Sequence, residues 1–182
     1  MSVGTVERAR DGDERAFEEL VDLHGGRCIG IAYRILRDVE RAEDAVQQAF
    51  LLAWRELPRL RDPERFEVWL HRLLVNACYE DARRHRRWTS RIVAIPADGP
   101  AITDPAVSVD DRDALERAFR RLTPEQRAAF VLHHHAGFPL DVTAAIVGVP
   151  VGTVKSRVHS AIQSLRAAIK ADEQIGTEVR PA

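Results

Sequence analysis

Lysine is nearly missing from this chain. Only Lys155 and Lys170 occur among 27 basic residues, so arginine carries the positive charge. That bias reads as a mark of GC-rich coding rather than of mechanism. Cysteine is scarce too. Cys28 and Cys78 lie far apart on apolar faces, which suits buried thiols in a reducing cytosol and argues against a disulfide or metal framework. No apolar run approaches the roughly 18 residues of a membrane-spanning helix. The first thirteen residues are polar and charged, so no secretory leader is expected and the expected location is cytoplasmic. Alternating β-branched runs are absent, which argues against a sheet. Glycine-rich phosphate loops, Cys/His pairs and paired carboxylates are also missing, so neither an enzyme nor a cofactor is expected. The net charge of −1 means that any nucleic-acid surface must be local.

What is present is helical periodicity over 182 residues, 45% of them hydrophobic. Phe17, Leu20, Val21, His24, Cys28, Ile31, Ile35 and Leu36 trace one helical stripe, which Gly25-Gly26 is expected to break or bend. Asp38 reads as the N-cap of a helix to about Glu56, ended by Pro58. A third long helix is predicted from Phe66 to Arg87. The segment "IPADGPAITDPAVSVDD" then holds three prolines and neither arginine nor lysine, the composition of a linker. A helix is expected over Asp111–Leu122. Thr123-Pro124-Glu125-Gln126 is a capping-box start for another, running to about His135 and closed by Ala136-Gly137. A short helix covers Pro139–Val147. The expected architecture is all-α: helical domains over residues 1–88 and 111–182, joined by a flexible linker at 89–110.

The second domain ends in "GVPVGTVKSRVHSAIQSLRAAI". Val151, Val154, Val158, Ile162, Leu165 and Ile169 share one helical face. No carboxylate occurs between Val151 and Ala171. A short helix, a glycine turn at Gly148 and this amphipathic helix make a helix-turn-helix, whose second helix can enter a major groove. Thr153, Lys155, Ser156, Arg157, His159 and Ser160 are donors suited to phosphates and base acceptors. In the first domain, Glu40, Glu43, Asp44, Gln47 and Gln48 cluster on the polar side of one helix. On the next helix Trp69, Asn76 and Arg83 recur at intervals of seven, with Arg72 beside them and an arginine run to Arg87. An aromatic, an amide and arginines along one face can stack on and hydrogen-bond an unpaired base. His133, His134 and His135 point about 100° apart on a helix and cannot chelate one ion together, so no metal is expected.

"LTPEQRAAFVL" followed by "GVPVGTVKSRVHSA" resembles region 4 of the sigma-70 family, in its small extracytoplasmic-function branch. "AEDAVQQAFLLAW" resembles region 2.2 of the same branch, and residues 66–88 resemble regions 2.3 and 2.4. The resemblance implies a sigma factor that binds core RNA polymerase, directs it to promoters and helps to melt the −10 element. Thr153, Lys155, Ser156, Arg157, His159 and Ser160 would meet the −35 element. Arg61, in the loop between the second and third long helices, Trp69, Arg72, Asn76, Arg83, Arg84, Arg86 and Arg87 would serve the −10 element, with Asn76 as the pocket asparagine. Arg41, Asp44, Gln47 and Gln48 would dock on polymerase. The implied partners are the β′ coiled coil and β flap of core polymerase, promoter DNA and an anti-sigma factor, with no membrane. Relatives often carry arginine where Ser160 and Ile162 stand, which implies weak −35 binding. Thr143 stands where relatives usually carry a buried aliphatic residue and Val142 where they carry a carboxylate, which implies looser packing of the helix-turn-helix. The competing readings are a stand-alone helix-turn-helix regulator and a helical adapter that binds no DNA.

Overall fold

The computed structural model describes residues 3–89 and 116–178, and every regular element among them is helical. Four helices build the first unit: α1 (Val3–Arg10), α2 (Glu14–Leu36), α3 (Val39–Glu56) and α4 (Phe66–Thr89). The second unit holds a helical turn over 116–121 and then α5 (Pro124–Phe130), α6 (Leu140–Val147) and α7 (Val151–Glu178). The expected linker at 89–110 lies outside the described residues, apart from its first position, and so does the start of the helix expected from Asp111.

Local chemistry sets the helix ends. Asp13 accepts a bond from the Ala16 amide at 3.1 Å and opens α2. Asp38 does the same for Arg41 at 3.0 Å and opens α3. Thr123 and Gln126 form the reciprocal capping box of α5, with bonds of 3.2 and 2.9 Å. α3 ends at Glu56, and Pro58 continues the chain as a 3₁₀ turn over Leu57–Arg59.

Two expectations need correction, and one element was not anticipated. Gly25-Gly26 does not break the chain into two helices, because α2 runs unbroken through both. Each glycine costs a helix about 1 kcal/mol, and the buried stripe of Leu20, His24, Cys28, Ile31 and Ile35 outweighs it. The polar N-terminus forms α1, whose Val6 and Ala9 are buried and whose Arg8 pairs with Glu19 at 3.0 Å. The helix expected to run to His135 changes pitch. Val131–His135 is a π-helical turn closed by the Ala136 amide on the Val131 carbonyl.

In the first unit the core is Leu20, Ile31, Ile35, Phe50, Leu57, Phe66, Leu70 and Leu74. The same cluster continues without a break into Ala128, Leu132, Ile146, Val154 and Val158 of the second unit. Ala118, Leu122, Ala161 and Leu165 form a satellite cluster. The two units therefore lie against each other, α5 on α2 and α6 on α4.

Candidate functional site

α6, Gly148 and α7 form the helix-turn-helix. Gly148 takes φ +70°, a left-handed conformation that favours glycine, and its amide bonds to the Ala144 carbonyl at 2.9 Å. Val154, Val158, Ala161 and Leu165 anchor α7 from beneath. Lys155, Ser156, His159 and Ser160 stand exposed on its outer face, while Thr153 and Arg157 are half-buried. The expected looseness is not found at Thr143. It is fully buried, and its hydroxyl donates to the Phe138 carbonyl at 3.4 Å. A buried hydroxyl with a partner avoids the cost of an orphaned one.

α4 carries a second face. Arg72, Asn76, Arg83 and Arg87 are exposed along one stripe, with Trp69 half-buried at its start and packed on Phe66 at a ring separation of 5.9 Å. Arg83 donates from Nε to the Tyr79 carbonyl at 3.2 Å. Arg61 is exposed between the two 3₁₀ turns that precede α4, and Arg84 and Arg86 are exposed near its end. Arg84 and Arg87 also line an open cleft of about 560 Å³, together with Arg41, Asp81, His85 and Trp88. Trp88 is 63% exposed. It escaped sequence reasoning, although an aromatic closing a run of arginines was a legible signal: such a ring can stack on a base while guanidiniums hold phosphates.

α3 carries the third face. Asp44, Gln47 and Gln48 are exposed, and Phe50 and Trp54 turn inward, with Trp54 packed on Phe17 at 4.9 Å. Leu51 is 55% exposed, one helical turn on from Gln47 and Gln48. It is the apolar member of a face to which the sequence reading assigned only polar and charged side chains. Arg41 stands apart from the other three. Its Nε donates to Asp81 at 2.7 Å and ties α3 to α4.

No group of three or more His, Cys, Asp or Glu side chains is placed to hold a metal ion among the described residues. His133 instead donates from Nδ1 to the Phe138 carbonyl at 2.8 Å, and His134 packs on Phe130. Cys28 and Cys78 are free and buried, and burial pushes both thiols up to about 12. No helix among the described residues is long and apolar enough to cross a membrane.

Two helical units, one of them a helix-turn-helix whose second helix carries no carboxylate from Val151 to Ala171, define a class of nucleic-acid-directed helical proteins. Residues 20–88 match the family description Sigma-70 region 2, and residues 112–165 match Sigma-70, region 4. The chain is 38% identical to the ECF RNA polymerase sigma factor SigM of Mycobacterium tuberculosis, over 80% of this chain and 73% of that protein. It is 35% identical to the RNA polymerase sigma factor CarQ of Myxococcus xanthus, over 88% and 93%. Among solved structures it is similar to the sigma factor RpoE of Bartonella quintana in complex with the anti-sigma factor NepR. That likeness has a TM-score of 0.72 at 27% identity and covers 86% of this chain and 98% of that one. The chain belongs to the sigma-70 family, in its extracytoplasmic-function branch.

Proposed function

We propose that this protein binds core RNA polymerase in the cytoplasm, directs it to promoters and helps to open the −10 element. The observation that carries this reading is the exposed stripe of Arg72, Asn76, Arg83 and Arg87 on α4, beginning at Trp69. Guanidiniums there hold the phosphates of a strand, while the amide of Asn76 can accept from and donate to the edge of a base that has left the stack. Unpairing costs a few kcal/mol per base, and capture of the flipped base offsets it. Arg61, Arg84 and Arg86 extend the same positive surface.

On α3, Asp44, Gln47 and Gln48 form the polymerase-docking face, directed at the β′ coiled coil. The Arg41–Asp81 pair leaves Arg41 to brace α3 against α4 rather than to reach outward. On α7, Lys155, Ser156, His159 and Ser160 meet the −35 major groove, with Thr153 and Arg157 at its margin, and the second unit docks on the β flap. An anti-sigma factor is the proposed antagonist, as NepR is the anti-sigma factor in complex with the Bartonella relative.

In vitro transcription with core polymerase tests the reading. Promoter-specific transcripts should depend on this chain, and Asn76→Ala should impair opening of the −10 element as followed by permanganate reactivity. A complete lack of promoter-specific transcript would overturn the function. Normal opening by Asn76→Ala would overturn the pocket role alone.

A further inference from the structure

The side chains near the end of α4 face two ways. At about 100° per residue, Arg72, Arg83 and Arg87 stand within about 40° of Asn76 around the helix. On the same count Asp81 and Trp88 stand about 140° and 120° away from it. The open cleft of about 560 Å³ is built on that second side. Its opposite wall is Arg41, near the start of α3. A strand laid along the Asn76 stripe therefore passes the rim of the cleft at Arg87 and does not enter it.

Among the lining residues a single carboxylate faces three guanidiniums. Asp81 is tied to Arg41: its Oδ2 accepts from Nε at 2.7 Å and lies 2.6 Å from Nη2. Its Oδ1 stands 3.7 Å from Arg84, too long for a hydrogen bond. Arg84 thus keeps its donors for another acceptor, with its side chain 76% exposed. A further cation stands behind Arg41. Burial first, then the nearby charges of Arg37 and Arg41, hold Arg127 of α5 down to about 10, and its Nε is buried without a hydrogen-bond partner. Walls of one charge sign focus the field in a cleft and draw in the opposite sign. Trp88 closes the site with an exposed indole. A ring left in water at the mouth of a cationic cleft offers a flat face for stacking.

We propose that this cleft is a binding site for a free nucleoside polyphosphate, separate from the −10 stripe. The base stacks on Trp88, and the phosphates take the guanidinium forks of Arg84 and Arg87, whose geometry matches phosphate oxygens. Arg41, held by Asp81, forms the back of the phosphate seat. The volume lies within the range of about 300–1,000 Å³ usual for small-ligand pockets. A nucleotide within a strand offers the same base and phosphate. The turn of the cleft away from Asn76 favours the free nucleotide, because a strand read by Asn76 runs along another side of the helix. A ligand in the cleft touches α3 and α4 together. It therefore bridges the helix of the proposed polymerase face and the helix of the −10 stripe.

The test titrates the full chain with ATP and with GDP while tryptophan emission is read. Trp54 and Trp69 are half-buried, so quenching by a stacked base should come from Trp88. At least one nucleotide should quench emission saturably, and Trp88→Leu should abolish that quenching. Arg84→Glu should raise the dissociation constant by on the order of tenfold, the loss of one charge-assisted hydrogen bond. Both positions are exposed, so neither variant removes core packing, and circular dichroism checks that the helices persist. A short single-stranded oligodeoxynucleotide forms the second arm. Quenching by the oligodeoxynucleotide and by neither nucleotide, lost in Trp88→Leu, would overturn the free-nucleotide site and assign the cleft to a strand. The proposal also falls if no ligand quenches saturably, if quenching survives Trp88→Leu, or if Arg84→Glu leaves the affinity unchanged.

Discussion

At the scale of single residues, Ser160 bears on how firmly α7 would grip DNA in its proposed −35 role. It is exposed on the proposed groove-facing side, and only Lys155, Arg157 and the histidine at 159 bring positive charge or its potential to the first turns. Each additional phosphate contact steepens the dependence of log K on log salt by about 0.9. Ser160→Arg should therefore tighten binding to a −35 duplex and make it more salt-sensitive, measured by anisotropy between low and moderate salt. An unchanged salt slope would show that this position does not meet a phosphate. Residue types by themselves suggested the proposed recognition set. Their exposure was not legible, because half-burial such as that of Arg157 is set by tertiary packing that helical periodicity does not report. Leu51 escaped because a single apolar residue on a polar face gives no periodic signal, whereas Trp88 closes an arginine run that could have marked it.

At the scale of elements, the helix boundaries follow from caps that are local in sequence. Asp13, Asp38 and Thr123 all cap as their positions predict. Thr123→Ala removes one half of the α5 capping box and should cost about 1 kcal/mol. That corresponds to a fall in melting temperature of roughly 2–4 °C for a chain of this size, followed by circular dichroism. An unchanged melting temperature would mean that α5 is held by its packing on α2 alone. Two elements went against local signals. α2 passes through Gly25-Gly26 because the buried residues on either side hold it. The turn at Val131–His135 widens to π pitch while bringing Phe138 to its seat against His71, and nothing in "VLHHHAGF" announces that widening. Thr143, which looked like a packing fault, is satisfied by the carbonyl of that same Phe138.

At the scale of the whole molecule, two buried histidines tie the fold to pH. Burial lowers the pKa of His71 and of His24 below 6.5, against the opposing pull of Glu67 on both. Around His71 stand Arg27 and His24, which lower it further, and its Nδ1 donates to the Glu67 carbonyl at 2.7 Å. Its Nε2 is buried without a partner. A histidine whose pKa is lowered in the folded state is held neutral there. The unfolded chain then binds more protons below pH 6.5, and stability falls as pH drops through that value toward the lowered pKa. Thermal melts should show lower stability at pH 5.5 than at pH 7.5, and His71→Gln should flatten the dependence. An equally steep profile in that variant would assign the loss to other groups.

The sequence alone determined the helical class, the two units, most helix ends, the helix-turn-helix and the residue types on its three exposed faces. These rest on periodicity, caps and turns, whose physics acts within a few residues. Only the tertiary structure decided that the two units share one core, that Arg41 is spent on Asp81 and that the Arg27 guanidinium lies over the Phe138 ring. The Arg27–Ala136 bond joins residues 109 positions apart. No local pattern encodes such a contact, because its strength comes from burial and charge that exist only once both units have folded and met.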